Sequence, residues 1–254
     1  MGGIKGTPSY GAPLVFSPFD GQRGGMLAIF DNDGTLCDTQ EVEGICYARA
    51  IEEVTGRPLS TLSWSHYDEP TSTAIVRGVL SRDPAAQEKE KQIEDAFVRL
   101  LKEQQPSFPG DFVPITGAVE FIERLTREAI CSVAIATGCF DASARFKLGC
   151  CGIGLGDFPH ATSSDVPRRS DIIRLAASRA GFALSSVVYF GDAPWDVRVT
   201  EMLQIPMIGI GRRFEELRSL GLPHVFRDYS NPDAIIEVLR GLKRDPGERE
   251  SDPR

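Results

Sequence analysis

The feature that most constrains this chain is the stretch over residues 27–36, which reads LAIFDNDGTL. Its apolar start predicts a short buried strand, and two carboxylates and a glycine end that strand abruptly. Ligands of open α/β sheets bind just outside the carboxyl ends of the strands, where Asp31 and Asp33 are expected to lie. Two carboxylates this close repel each other unless a proton or a cation lies between them, and Mg²⁺ prefers such oxygen ligands. A strand followed by a solvated Asn-Asp-Gly turn is the other interpretation.

The composition indicates a soluble acidic protein. The chain has 254 residues, of which 41% are hydrophobic and 25% are charged, and its formal net charge of −8 argues against a nucleic-acid partner. No apolar run approaches the ~18 residues that a membrane span needs, and the N-terminus lacks a signal-peptide pattern. The six cysteines show no Cys-x-x-Cys pair and no zinc-like spacing, which is typical of thiols in a reducing compartment. We therefore expect a cytoplasmic protein with no membrane or nucleic-acid partner.

Apolar runs and helical periodicity alternate along most of the chain. Strands are predicted at 26–31, 130–136, 160–162, 187–190, 206–210 and 224–226. Helices are predicted at 40–54, 72–80, 83–104, 214–220 and 232–242. Four more helices are predicted between these: one over 119–125 with Thr116 as its N-cap, one that ends at Leu148, one from Ser170 to a C-cap at Gly181, and one that ends at Leu203. Alternation of this kind predicts a Rossmann-like α/β core with a doubly wound parallel sheet.

The same pattern divides the chain into parts. No strand pattern occurs between about residues 40 and 110, so this region is predicted to be a helical insertion. Glycine, proline and charged residues at the two ends are typical of segments that do not pack. The predicted parts are a flexible N-terminal extension (1–25), an α/β core (26–38 and 113–242), a helical cap (39–112) and a disordered tail (243–254).

Polar residues follow three of the predicted strands and begin one helix. They are Asp31-Asn32-Asp33, Thr137-Gly138, Gly191-Asp192 and, at the helix start, Pro167-Arg168-Arg169-Ser170. Because the carboxyl ends of parallel strands share one edge of a sheet, we expect these segments to converge. Carboxylates, a hydroxyl, a free backbone N–H and a guanidinium together suit Mg²⁺ and a phosphate group.

These segments, together with Asp196, resemble the four motifs of the haloacid dehalogenase superfamily of hydrolases. They occur in the right order within about residues 26–226, and the helical insertion lies between the first two, where members carry a type 1 cap. The resemblance implies a Rossmann-like core and a Mg²⁺ cofactor. Within the phosphatase branch it implies a small phosphorylated metabolite as the substrate. We expect the protein to be a monomer or a homodimer.

The resemblance gives both acids of the first motif a role in the reaction. It implies that Asp31 is the nucleophile, which attacks phosphorus to form an aspartyl-phosphate. Asp33 would protonate the leaving oxygen and then act as the base on the hydrolytic water. Dehalogenases and phosphonatases lack this second acid, so its presence favours hydrolysis of a phosphate monoester, as in phosphoglycolate phosphatases. The alternatives are a β-phosphoglucomutase-like sugar-phosphate mutase and a non-catalytic protein that binds a phosphorylated metabolite.

Metal and phosphate ligands are implied by the same resemblance. The expected Mg²⁺ ligands are Asp31, the backbone carbonyl of Asp33, Asp192 and, directly or through water, Asp196. Asp196 is alternatively an acid at a helix N-terminus, where the macrodipole favours a negative charge. Thr137 and the Gly138 N–H would bind the phosphoryl oxygens.

The third motif departs from the family pattern. Members usually carry a Lys in a Gly-Lys-Pro-type run, whereas this chain reads Val166-Pro167-Arg168-Arg169-Ser170. We expect Arg169, directly before the helix, to replace that Lys, since a guanidinium can chelate a phosphate or a carboxylate. Arg168 is the alternative and a candidate substrate ligand, and one of the two arginines could simply be solvated.

Substrate choice is expected to depend on the cap, which would close over the site and exclude water. The candidate contacts there are Trp64, Tyr67, Thr71 and Ser72. Aromatic and hydroxyl groups can pack against a small organic leaving group and hydrogen-bond it, although packing between the cap helices is an alternative role for all four residues. Trp195, between the two acids of the fourth motif, would line the entrance or join the core.

Overall fold

The computed structural model describes residues 25–108 and 110–243. The predicted N-terminal extension, apart from Gly25, and the predicted tail, apart from Lys243, lie outside the described residues. Among the helices of these two ranges, none is long and apolar enough to cross a membrane.

A six-stranded parallel sheet forms the centre of the fold. In chain order the strands are β1 (Leu27–Phe30), β2 (Cys37–Asp38), β3 (Val113–Pro114), β4 (Ser132–Thr137), β5 (His160–Thr162), β6 (Val187–Gly191), β7 (Met207–Ile210) and β8 (Val225–Phe226). The sheet has the order β5-β4-β1-β6-β7-β8, and β2 and β3 form a separate antiparallel pair. The chain moves outward from β1 to β5 and then from β6 to β8 on the other side, which confirms the predicted doubly wound sheet.

Helices cover both faces of this sheet and form the insertion. In chain order they are α1 (Gln40–Thr55), α2 (Ser72–Val79), α3 (Ala86–Gln104), α4 (Ala118–Arg127), α5 (Asp141–Cys150), α6 (Arg169–Arg179), α7 (Pro194–Leu203), α8 (Phe214–Ser219) and α9 (Pro232–Lys243). Two capping predictions are wrong, because the N-cap of α4 is Gly117 and not Thr116, and the C-cap of α6 is Ala180 and not Gly181. Gly117 has a left-handed φ of 77°, and a Cβ there would lie 2.9 Å from the carbonyl oxygen of Tyr229, so only glycine fits.

The central strand β1 determines where the residues after it lie. All four of its residues are 0% exposed, as expected for a strand with helices on both faces. Alternation sends Phe30 to one face, where its ring stacks on Phe190 of the neighbouring strand with 4.4 Å between ring centroids. The ladder continues past the end of β1, since the Asp31 N–H donates to the Phe190 carbonyl oxygen at 2.9 Å. Asp31 is therefore held by backbone hydrogen bonding at the edge of the sheet.

The helical insertion, α1–α3, has an apolar cluster of its own. Residues from α1 and α3 that are fully or almost fully buried in this cluster include Tyr47, Ile51, Ile93 and Phe97. Phe140, directly before α5, belongs to the same cluster, so the core takes part in packing the insertion. The β2–β3 pair lies where the chain leaves the core and returns to it, with Asp38 opposite Val113.

Removal of the Phe30 ring tests how strongly the fold depends on β1. Phe30→Ala is expected to lower the free energy of unfolding by about 3–5 kcal/mol, because a fully buried ring is replaced by a cavity. Chemical denaturation measures this change. The control is Met202→Ala, at a side chain that is 68% exposed, which should change the same free energy by less than about 0.5 kcal/mol. Equal effects of the two substitutions would contradict the central position of β1.

Candidate active site

A cavity of about 440 Å³ opens at the carboxyl ends of the strands, between the sheet and the helical insertion. On the core side it is lined by Asp31, Asp33, Thr137, Gly138, Arg169 and Asp192. On the insertion side it is lined by Glu43, Tyr47, Leu62, Trp64, Thr71 and Ser72, among others. The structure therefore brings most of the predicted site residues to one cavity, as the shared edge of a parallel sheet requires.

Three buried carboxylates form a cluster at this edge of the sheet. Asp31 follows β1, Asp192 follows the neighbouring strand β6, and Asp196 lies in the first turn of α7. Their ligand atoms all lie within 4.8 Å of one another, and the three residues are at most 5% exposed. An all-oxygen set of this kind suits a hard divalent cation. The side chain of Asp33 is not part of this cluster.

The guanidinium of Arg169 lies against two of these carboxylates. Its Nη1 donates to Asp31 Oδ2 at 3.3 Å and to Asp196 Oδ1 at 3.1 Å. Its approach depends on Gly138, because a Cβ at that position would lie 2.6 Å from Arg169 Nη2. Arg168 is exposed and does not line the cavity. Of the two adjacent arginines, Arg169 is the one that the fold brings to the acids.

Burial changes the protonation of the first acid. It raises the pKa of Asp31 to about 7, against the opposing charge of Arg169 and with further raising contributions from Asp196 and Asp33. Burial also raises the pKa of Asp196, again opposed by Arg169. The cluster therefore needs positive charge beyond Arg169 to keep all its carboxyls ionised at neutral pH.

The side chain of Asp33 lies in a second group of polar residues. Asp33 Oδ2 accepts hydrogen bonds from Lys147 Nζ at 2.6 Å and from Cys139 Sγ at 2.7 Å, and Oδ1 accepts one from Thr39 Oγ1. Lys147 also forms an ion pair with Glu43 of α1. The pKa of Glu43 is raised to about 7 by burial and, to a smaller extent, by the nearby charge of Asp33, against the opposing charge of Lys147.

Lys147 and Glu43 are not among the residues that the sequence motifs predict for the site. One signal was present, since Ala144 lies three residues before Lys147, which places both on one face of α5, and both are buried together with Leu148. A lysine on such a face is rarely buried unless a carboxylate pairs with it. The sequence pattern does not show which carboxylate provides the pair.

The predicted cap contacts divide into two groups. Trp64, Thr71 and Ser72 line the cavity, whereas Tyr67 does not. The hydroxyl of Thr71 donates to the Pro167 carbonyl oxygen at 2.6 Å and accepts from the Ala74 N–H, so it joins the insertion to the core and caps α2. The Tyr67 hydroxyl donates to a backbone carbonyl within the insertion.

Residues beyond the predicted set also line the cavity. Arg213 was not predicted, and its Nη1 donates to Asp192 Oδ2 at 3.3 Å. Its guanidinium lies 5.0 Å from the ring centre of Trp195. Trp195 lines the cavity, which is one of the two positions expected for it. Ser72, which was predicted, also joins the insertion to the core through its backbone, since its N–H donates to the Gly138 carbonyl oxygen at 2.7 Å.

Comparison with known families decides where the chain belongs. The family model of haloacid dehalogenase-like hydrolases matches residues 26–200. The chain is a haloacid dehalogenase-like hydrolase. This confirms the resemblance found in the four sequence motifs and the expectation that the protein is an enzyme. A search of curated protein sequences finds no match.

Solved structures share the fold of this hydrolase. A hydrolase from Pseudomonas syringae is 22% identical, with a TM-score of 0.64 over 85% of this chain and 98% of its own. CbbY from Rhodobacter sphaeroides is 18% identical, with a TM-score of 0.63 over 81% of this chain and 95% of its own. A family IA, variant 3 hydrolase from Entamoeba histolytica is 19% identical, with a TM-score of 0.60 over 87% of this chain and all (100%) of its own. These similarities show that the chain shares the α/β fold of these proteins.

The raised pKa of Asp31 predicts how the stability of the metal-free hydrolase depends on pH. An aspartate in the unfolded chain titrates near about 4, so between about pH 4 and the folded value of about 7 the folded state binds more protons. Stability should therefore fall as the pH rises through this window. Asp31→Asn removes this titration. The free energy of unfolding should therefore fall less between about pH 5 and pH 8 in Asp31→Asn than in the wild-type protein, by on the order of 2 kcal/mol.

Chemical denaturation in the presence of a chelator at the two pH values measures this effect. Asp68→Asn, at an exposed aspartate outside the cavity, is the matched control and should keep the wild-type slope. An Asp31→Asn protein with the wild-type pH slope would show that Asp31 is ionised throughout the window.

Proposed function

We propose that this hydrolase is a Mg²⁺-dependent phosphatase that cleaves a small phosphate monoester through an aspartyl-phosphate on Asp31. The observation that carries this proposal is the group around Asp31. Its carboxylate follows the central strand, shares a buried cluster with Asp192 and Asp196, and contacts the Arg169 guanidinium. Asp31, Asp192 and Arg169 line one cavity, and Asp196 lies behind them. A nucleophile, a cation site and a fixed positive charge are the parts that phosphoryl transfer requires.

The donor set of the cluster supports a magnesium ion. Asp31, Asp192 and Asp196, with the backbone carbonyl of Asp33, are the proposed ligands, and the three carboxylates offer only oxygen atoms. When bound, the ion would neutralise negative charge on the phosphate and on the crowded carboxylates. It would also keep Asp31 ionised despite the burial that raises its pKa.

In the first step, a carboxylate oxygen of Asp31 attacks phosphorus and forms the acyl phosphate bond. The bond from phosphorus to the leaving oxygen breaks, and its electron pair goes to that oxygen, which takes a proton from Asp33. Arg169 stabilises the charge on the transferred group. Its Nε is buried and has no hydrogen-bond partner among the described residues. The Thr137 hydroxyl and the Gly138 N–H are proposed to bind the other phosphoryl oxygens.

In the second step, Asp33 takes a proton from a water molecule. The water oxygen attacks phosphorus, the acyl phosphate bond breaks, and its electron pair returns to the Asp31 carboxylate. Inorganic phosphate leaves, and both acids regain their starting protonation. Asp31 and Asp33 line the same cavity, which allows them to act on the same substrate.

The size and lining of the cavity favour a small substrate. Its volume of about 440 Å³ suits a phosphorylated metabolite, with Trp64 and Tyr47 offering aromatic surface to the leaving group. The fold neighbour CbbY was solved in complex with phosphate, which supports a phosphate ligand for this chain.

Replacement of the nucleophile tests the proposed function. Asp31→Asn is expected to lower kcat by at least about 1,000-fold, because an amide cannot form the covalent intermediate. Release of inorganic phosphate is measured over a panel of sugar phosphates, nucleotides and phosphoglycolate-like acids, with Asp68→Asn as the control that keeps wild-type rates. Phosphate release by Asp31→Asn at the wild-type rate would contradict the mechanism. Phosphate that stays on the organic product, followed by ³¹P NMR, would indicate the mutase instead.

Removal of one ligand tests the cation site. Asp192→Asn is expected to raise the Mg²⁺ concentration for half-maximal activity by at least about tenfold, since it takes a charged oxygen ligand from the cluster. Magnesium titration after removal of metal by a chelator measures this. Full activity of the wild-type protein in excess chelator, or an unchanged magnesium requirement in Asp192→Asn, would contradict the proposed site.

A further inference from the structure

Lys147 is fully buried in α5 beside the cavity. Its side chain is 0% exposed, and its Nζ lies 2.6 Å from Asp33 Oδ2 and 3.1 Å from Cys139 Sγ and pairs with Glu43. The partners come from three places, namely the loop after β1, the loop after β4 and helix α1 of the insertion. One ammonium group therefore joins the proposed acid–base residue to both the core and the insertion.

Stability alone gives no reason to bury this group of three charges, Lys147, Asp33 and Glu43. Desolvation of an ammonium and two carboxylates costs several kcal/mol, and apolar replacements of buried ion pairs are often neutral or stabilising. Position 147 lies on the buried face of α5 with Ala144 and Leu148. Apolar side chains could fill this space if Asp33 and Glu43 were replaced together with Lys147. What an apolar side chain could not do is hold the Asp33 carboxyl in one place.

Lys147 has the geometry to orient Asp33. It donates to Oδ2, while the hydroxyl of Thr39 donates to Oδ1, so both oxygens of the carboxyl have donors. Asp33 and Glu43 line the cavity, whereas Lys147 does not. Lys147 thus contacts the proposed acid from the side away from the substrate.

We propose that Lys147 is a positioning residue, which aligns the Asp33 carboxyl for proton transfer and, through Glu43, fixes it relative to the first helix of the insertion. This inference rests on the proposed function, in which Asp33 protonates the leaving oxygen. Lys147 touches neither the substrate nor the phosphoryl group and acts only through Asp33.

The leaving group distinguishes this role from a structural one. An alkoxide needs a proton as it departs, and a positioned general acid contributes about 100- to 10,000-fold to such a step. A p-nitrophenolate is a stable anion and departs without that proton. The ratio kcat/KM includes the steps up to the departure of the alcohol and leaves out the later attack of water, in which Asp33 serves both substrates alike.

The experiment compares Lys147→Met with the wild-type protein on an alkyl phosphate and on p-nitrophenyl phosphate. We expect kcat/KM for the alkyl phosphate to fall by about 100-fold and that for p-nitrophenyl phosphate to fall by less than about threefold. The control is Lys102→Met, the same chemical change at an exposed lysine of α3, which should alter neither value. Equal losses on the two substrates, or no loss on either, would overturn the positioning role.

A second variant keeps the inference testable if Lys147→Met does not fold, which circular dichroism would show. Glu43→Gln removes the other carboxylate that Lys147 holds, at a side chain that is 15% exposed and more tolerant of change. It should lower the ratio of kcat/KM for the alkyl phosphate to kcat/KM for p-nitrophenyl phosphate by about tenfold. An unchanged ratio would overturn the role assigned to Lys147 and Glu43. Failure of the proposed function appears separately, as a wild-type protein that hydrolyses neither substrate or an Asp31→Asn protein that hydrolyses both.

Discussion

The contact of Arg169 with Asp31 and Asp196 is the interaction on which the site depends. Adjacent strands and the first turn of α7 force three carboxylates into a buried space where their ligand atoms lie within 4.8 Å of one another. Without a positive charge such a group repels itself and takes up protons. Arg169 supplies part of that charge permanently, since its guanidinium does not titrate in proteins. The remaining excess of negative charge makes the cluster suitable for a cation.

A second electrostatic group connects this edge of the sheet to the helical insertion. Asp33 follows Asp31 by only two residues, yet its side chain accepts a hydrogen bond from Lys147 of the core. It accepts another from Thr39, where the insertion begins. The ion pair of Lys147 with Glu43 and the shared apolar cluster around Phe140 extend the same connection. The two acids of the first motif therefore lie in different environments, one at the cation cluster and one at the joint with the insertion. Different environments are what two carboxylates need to take different parts in one reaction.

Much of the fold was predictable because its signals are local. A continuous apolar run such as that of β4 has one favourable place, the centre of a parallel sheet, and helices of matching length follow it. The β2–β3 pair was missed, since two-residue strands carry no periodicity and the paired residues Asp38 and Val113 are separated in the sequence by the whole insertion. The capping error at Thr116 has a similar cause. Gly117 is required there by the close approach of Tyr229, which no pattern near position 117 reveals.

The sequence by itself determined the order of the motifs, the alternation of strands and helices, and the position of Asp31 and Asp33 at the end of a buried strand. Only the tertiary structure decided that Arg169 and not Arg168 reaches the acids, and that Lys147 bonds to Asp33. The physical reason is the range of the interactions. Secondary structure depends on neighbours a few positions apart, whereas Lys147 and Asp33 are separated by 114 positions. Which charged side chain is buried, and beside which partner, is set only when distant segments pack against each other.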